Sequence, residues 1–169
     1  MKSAQYWIEK LELQPHPEGG YFKEVYRSED SVLAGGLPER YSSDRSLGTS
    51  IYFLLKGDQI SSFHRLRSDE LWYFHAGGAA DIHLIDPEGE LSLKTIGPDV
   101  EAGESLQVAI PRGCWFSAEL KGSTDFILVG CSVYPGFDFE DFELADAQKL
   151  IQEYPNHAEL IKKMCLREV

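Results

Sequence analysis

His64 and Glu70 are the residues of this chain whose types and spacing best support chemistry. They stand in the segment Gly57 to Gly77, which also carries Asp69, Arg65, Arg67 and the aromatics Phe63, Trp72, Tyr73 and Phe74. An imidazole titrates near neutrality, and a carboxylate beside it orients its second ring nitrogen, which is what a general base needs. Proton abstraction next to a carbonyl further needs an acid on the other side and positive charge for the developing enolate. On this reading His64 is the base, with Glu70 or Asp69 orienting it. Tyr52 or Tyr134 supplies the proton, and Arg27 or Arg65 meets a phosphate or carboxylate. Trp72, Trp115 and Phe116 are candidate ligand walls, since aromatic faces stack on sugars and nucleobases. The same His64–Glu70 pair also serves a second reading, a hydrogen-bonded pair inside a cavity that binds without turnover. As metal ligands the two are weak candidates, because two protein ligands hold an ion poorly and strand parity turns His75 away from Glu70. No metal or other cofactor is expected.

These side chains need strands to position them. Alternation with period two puts Ser62, His64 and Leu66 on one face, and Glu70, Trp72 and Phe74 on one face of the next strand. A hairpin through Arg67-Ser68-Asp69 is expected to bring His64 and Glu70 to one cavity wall. From Thr49 to Val133 the chain reads as all-β, with runs at Ser50–Leu55, Ile60–Leu66, Glu70–His75, Ala80–Ile85, Leu91–Ile96, Ser105–Ile110, Cys114–Leu120 and Phe126–Val133. Gly- and Pro-containing turns separate them, a pattern that indicates a sandwich or small barrel able to enclose a ligand. Upstream, residues 3–12 read as an amphipathic helix capped by Ser3, Pro15 to Gly20 as a fixed turn, and Tyr21 to Arg27 as a strand. Residues 28–46 read as a loop that borders the site. Downstream, Asp138 to Glu143 reads as a solvated connection whose phenylalanines pin C-terminal helices to the barrel. Leu144, Ala147, Leu150 and Ile151 mark one helix, and Asn156 with Glu159 a capping box for the last.

Composition narrows the partners. The chain has 169 residues, with 16 basic and 28 acidic side chains and a net charge of −12. Such a surface repels phosphate backbones and anionic lipid, so neither nucleic acid nor a membrane is an expected partner, while a small anion held by local arginines remains compatible. The length suits a single domain, residues 1–169. Cys114, Cys131 and Cys165 form no C-x-x-C and number three, which indicates a reducing compartment rather than a disulfide framework, and Cys114 and Cys131, among apolar strand residues, read as buried thiols. No signal pattern opens the chain and no apolar run approaches a membrane span, so a cytoplasmic protein is expected.

The glycine-punctuated segments resemble the cupin motifs. Gly57, His64, Glu70 and Gly77 follow the order of the first motif, with Leu66 at the place of its second histidine. Pro111-Arg-Gly113-Cys-Trp-Phe116 follows the second motif, with Phe116 where a histidine ligand stands in metal-binding cupins. Pro17-Glu-Gly-Gly-Tyr-Phe, Tyr26-Arg-Ser, Thr49-Ser-Ile-Tyr, Phe63-His-Arg-Leu, Ser68-Asp-Glu-Leu-Trp and Val129-Gly-Cys-Ser-Val-Tyr-Pro-Gly-Phe extend the likeness. Together they resemble the cupin_5 family, a domain of unknown function similar in fold to sugar-nucleotide epimerase cupins. The resemblance implies an all-β cupin double-stranded β-helix, a jelly-roll barrel with short helices at both ends. It implies a small-molecule cupin, a metal-independent isomerase or epimerase for a sugar nucleotide or similar polar metabolite. The alternatives are a non-catalytic binding or sensing module and a metal-dependent cupin enzyme. Pairing through strand edges, as in related cupins, implies a homodimer.

Overall fold

The computed structural model describes residues 2–165. Helix α1 (Ala4–Leu11) begins where Ser3 accepts a hydrogen bond from the Tyr6 backbone N–H, the cap expected from the sequence. Strands β1 (Gln14–Pro15), β2 (Tyr21–Arg27), β3 (Ser31–Val32) and β4 (Arg45–Ser46) follow. The β-rich centre runs through β5 (Thr49–Lys56), β6 (Ile60–Leu66), β7 (Asp69–Gly77), β8 (Ala80–Ile85) and β9 (Leu91–Ile96). It continues with β10 (Gln107–Ile110), β11 (Trp115–Leu120), β12 (Phe126–Tyr134) and the short β13 (Phe142–Leu144). Helices α2 (Ala147–Glu153) and α3 (Ala158–Met164) close the described chain. None of the described helices is long and apolar enough to cross a membrane.

The strands form two antiparallel sheets, ordered β1-β2-β5-β12-β7-β10 and β13-β6-β11-β8-β9. They face one another as a jelly roll whose sheets do not close into one hydrogen-bonded cylinder. Alternation decides the core. Phe53, Leu55, Ile127 and Val129 meet Ile82, Leu84, Phe116 and Ala118 between the sheets. The intervening residues Leu54, Phe126 and Leu128 point the other way and lie beneath α1 with Trp7, Ile8 and Leu11. On the far side, Phe63, Ile85 and Trp115 are covered by Leu150, Ile161 and Met164 of α2 and α3. Helix α1 on the outer surface of the first sheet explains why β5 and β12 are apolar on both faces.

Two local expectations need correction. β6 and β7 belong to different sheets, so residues 67–68 are a crossover rather than a hairpin turn. The Leu66 carbonyl accepts from Gly113 and the Arg67 N–H donates to Asp141, which holds the end of β6 in its own sheet while the chain leaves for the other. Asn156 does not cap the last helix. Pro155 opens a 3-10 turn over Pro155–His157, so Asn156 sits inside a turn instead of the extended geometry an N-cap requires, and α3 starts without a side-chain cap. Residues 28–46 are more ordered than a plain loop, containing the β3–β4 ribbon and a 3-10 turn at Ala34–Gly36.

Candidate active site

One end of the inter-sheet space is not filled by aliphatic packing. There the sheets enclose a cavity of about 230 Å³. Its floor and walls come from both sheets: Phe53, Glu70, Trp72 and Cys131 on one side, His64 and Leu66 on the other. His64 and Glu70 do line one cavity, facing it from opposite sheets.

Local irregularities aim the polar groups. Ser61 pairs with Ala118 and His64 with Phe116, so β6 has one more residue than β11 between these pairs. This bulge puts Ser61 and His64 on the same inward face, which strict alternation forbids. A second shift in β2, between Glu24 and Tyr26, puts Glu24 opposite Ile51 and Arg27 opposite Thr49, so both point to the mouth. A third in β7, between Ala76 and Phe74, leaves His75 exposed on the outer face beside Tyr52.

The turn Pro15-His16-Pro17-Glu18-Gly19-Gly20 completes the site. It leaves β1, folds back through His16 N–H to Gly20 and Gly19 N–H to His16 carbonyl bonds, and docks on the opposite sheet through a bond from Ser62 N–H to the Glu18 carbonyl, 2.8 Å. Gly19 has φ 109°, and a Cβ there would run into the Ile60 carbonyl, so only glycine allows this approach. The result is that His16 and Glu18, read from the sequence only as part of a turn, become interior groups.

Hydrogen bonding assigns the protons. His64 Nδ1 lies 2.7 Å from the Ser62 carbonyl, which can only accept, so Nδ1 carries the hydrogen. The neutral ring therefore presents a lone pair at Nε2, 3.1 Å from Glu18 Oε2. His16 Nδ1 accepts from the Glu18 backbone N–H and lies 3.4 Å from the same oxygen. Ser61 Oγ donates to the other oxygen, Glu18 Oε1, at 2.7 Å. The His64 Nε2 lone pair thus faces the Glu18 Oε2 carboxyl oxygen, and a proton on Glu18 or on His64 satisfies the contact.

Burial sets the energies. Desolvation raises Glu18 to about 7, against the opposing pull of His16 and Ser61. Desolvation lowers His64 to about 4, opposed by its bond to Ser62. His16 is also lowered, chiefly by desolvation, with Glu18 acting against it. Glu70 is raised to about 8, first by burial and then by the charge of Glu18. The Cys131 thiol and the Trp72 indole N–H lie beside Glu70 and temper that rise, although Trp72 Nε1 completes no hydrogen bond. Near neutral pH His64 is neutral, Glu70 is protonated, and Glu18 stands near half-ionisation.

The remaining candidates divide by position. Trp72 lines the cavity, and Phe116 lies behind His64 with ring centres 4.0 Å apart. Arg27 sits at the mouth, bonded to Glu24 at 3.1 and 2.8 Å and to the Phe137 carbonyl at 3.0 Å. Tyr52 faces outward under α1, and Tyr134 is 55% exposed, so neither tyrosine lines the cavity. Arg65 also points outward, to Glu143 and over the Trp115 ring, and Trp115 itself is buried under α2 and α3. Neither Glu70 nor Asp69 orients His64; the Ser62 carbonyl holds its Nδ1, and Glu18 meets its Nε2. The acidic segment after Pro135 likewise differs from its reading as a solvated tether. Phe137, Phe139 and Phe142 cluster edge-to-face and line the mouth, and Asp141 is buried against Arg45.

The residues present do not suit a metal of the kind the cupin motifs imply. Leu66 and Phe116 occupy two ligand places, and His16, Glu18 and His64 face each other at hydrogen-bond distance rather than a common point. Among the described residues no group of three or more His, Cys, Asp or Glu side chains is arranged to hold an ion.

The architecture has relatives. Over 99% of this chain and all of theirs, the coordinates of protein SO0799 from Shewanella oneidensis superpose with a TM-score of 0.89 at 43% identity. The uncharacterised yeast protein YML079W, from Saccharomyces cerevisiae, is 32% identical over 148 residues, 82% of this chain and 73% of its own length. Oxalate decarboxylase from Bacillus subtilis shares the fold at a TM-score of 0.56 and 17% identity, over 91% of this chain and 37% of that one. The profile described as "Cupin superfamily (DUF985)" matches residues 5–145. With that match across most of its length, the chain belongs to the Cupin_5 family of the cupin superfamily, a domain of unknown function.

Proposed function

We propose that the cavity performs metal-independent proton transfer on a small polar metabolite, as an isomerase or epimerase. The observation that carries this is the 3.1 Å Glu18–His64 contact in a desolvated interior, which Glu70 faces from the opposite sheet. The ionised Glu18–His64 pair takes a proton from the carbon next to a substrate carbonyl, and the C–H electrons move onto the carbonyl oxygen as an enolate. Glu70 then returns a proton to the opposite face of that carbon, the carbonyl reforms, and the stereocentre is inverted. Glu70 regains its proton from solvent, and Glu18–His64 releases the one it took. Trp72 Nε1, buried without a partner, is a spare donor for a substrate oxygen. Acids outnumber permanent cations in the lining, with Glu24 and Asp138 added to the interior carboxyls and Arg27 the one arginine. A neutral or cationic group therefore suits the interior. A sugar nucleotide fits only with its sugar inside and its diphosphate at the mouth near Arg27.

The test is solvent-deuterium incorporation during a screen of sugars, sugar nucleotides and related carbonyl metabolites. Glu18→Gln should abolish exchange. Glu70→Gln should keep exchange but lose inversion, since one base can wash a proton in and out on one face. Exchange that persists undiminished in both Glu18→Gln and His64→Ala removes the acid–base reading. The competing reading, a binding module, is favoured by the phenylalanine mouth, and a ligand that raises the melting temperature without conversion supports it. Related to either reading, we propose a homodimer, supported by the exposed Leu91 and Leu93 on the edge strand β9, whose far end alone is bonded to Ser105, and by Leu106 just before β10.

A further inference from the structure

A second concave surface lies outside the cavity, separated from it by Leu66 and Phe142, which line both. Four arginines line this groove: Arg40, Arg65, Arg67 and Arg112. Four guanidinium groups gathered in one groove repel one another unless something neutralises them. The acids present do so only in part. Of the three acids in the lining, Asp141 is held by Arg45 at 2.7 and 2.8 Å, Glu140 by Arg45 at 3.2 Å and by Ser43 at 2.7 Å, and Glu143 by Arg65 at 2.8 Å. Arg67 reaches Asp141, and Arg112 reaches Asp69, only at 3.9 Å. Arg40 and Arg67 instead donate to each other's backbone carbonyls, Nε to Arg67 at 2.9 Å and Nη1 to Arg40 at 3.0 Å. These reciprocal bonds use one N–H group of each fork and tie together two side chains that both line the groove. A planar fork of N–H groups matches the paired oxygens of phosphate and carboxylate, and a polyvalent phosphate engages several such forks at once.

We propose that this groove is a second ligand site, taking a phosphate-type polyvalent anion of a small metabolite between Arg40, Arg67 and Arg112. It is distinct from the acid-lined cavity and does not depend on the proton chemistry there. Its place behind Phe142 and Asp141 puts a bound anion one residue layer from the cavity wall.

Isothermal titration of the full chain with sodium pyrophosphate tests the site. Saturable binding is expected, weakening as salt is raised. Arg112→Gln and Arg67→Gln should each lower the affinity on the order of tenfold, the loss of a charge-assisted hydrogen bond. Glu18→Gln in the cavity should leave the affinity unchanged. Arg112→Gln is the decisive variant, because the Arg112 side chain anchors no loop, and an unchanged melting temperature will show that its fold is intact. Absence of saturable heat with pyrophosphate, or an affinity that Arg112→Gln does not alter, overturns the proposal. Binding of a polyglutamate peptide without binding of pyrophosphate also overturns it, in favour of an acidic protein partner.

Discussion

Glu70 and His64 share one desolvated interior, yet burial moves their pKa values in opposite directions, because it penalises whichever form carries charge. Glu70 in the folded protein keeps a proton up to about pH 8 that the unfolded chain releases near 4.5, so stability falls as pH rises across that window. Glu18 acts in the same sense between 4.5 and about 7. His64 runs the other way: the unfolded ring is protonated below 6.5 and the folded one only below about 4, so stability falls as pH drops from 6.5 toward 4. The contributions oppose each other in mild acid, and above pH 6.5 only the carboxyl ones remain. The melting temperature is therefore expected to decline from pH 6.5 to 8. Glu70→Gln cannot titrate and should flatten that decline by about 1–2 kcal/mol of unfolding free energy. Melting curves at closely spaced pH values check this, and an unaltered slope would show that Glu70 ionises as an ordinary surface carboxylate.

At the scale of elements, the cavity is built by segments outside the regular strands. The Pro15–Gly20 turn bridges the two sheets, and the segment from Phe137 to Phe142 forms the mouth. That segment is clamped by Arg45, whose guanidinium is 1% exposed and makes paired bonds to the buried Asp141, with a further bond to Glu140 at 3.2 Å. Arg45 follows the polar stretch 28–44, so one buried ion pair couples that stretch to the cavity mouth. Arg45→Ala leaves Asp141 buried and unpaired and should cost about 3–5 kcal/mol. Replacing both partners with apolar residues, as in Arg45→Met with Asp141→Leu, should cost much less than Arg45→Ala alone. Urea unfolding of the three proteins measures the comparison, and equal losses in both variants would show that the pair contributes nothing beyond packing.

At the scale of the molecule, a homodimer through the β9 and β10 edges predicts twice the chain mass in sedimentation at micromolar concentration. It also predicts a shift toward one chain mass on Leu93→Lys; a single-chain mass for the wild type would remove the edge-pairing idea. The sequence determined much of the fold. Period-two runs between Gly and Pro turns located the central strands to within a residue or two, and apolar spacing with Ser3 located α1, because these signals are local and act through backbone geometry. It also identified the cavity through His64, Glu70 and Trp72. Tertiary structure alone decided that β6 and β7 belong to opposing sheets, because a two-residue connection suits a hairpin or a crossover equally and long-range pairing makes the choice. It alone brought His16 and Glu18 inward, although Pro-His-Pro-Glu-Gly-Gly was visible as a motif, because a proline–glycine turn is normally solvated and its docking depends on a distant N–H at Ser62. Bulges then changed which side chains face inward, and no alternation pattern reveals them. For that reason the partner of His64 proved to be Glu18, forty-six residues upstream, rather than the glutamate six residues downstream.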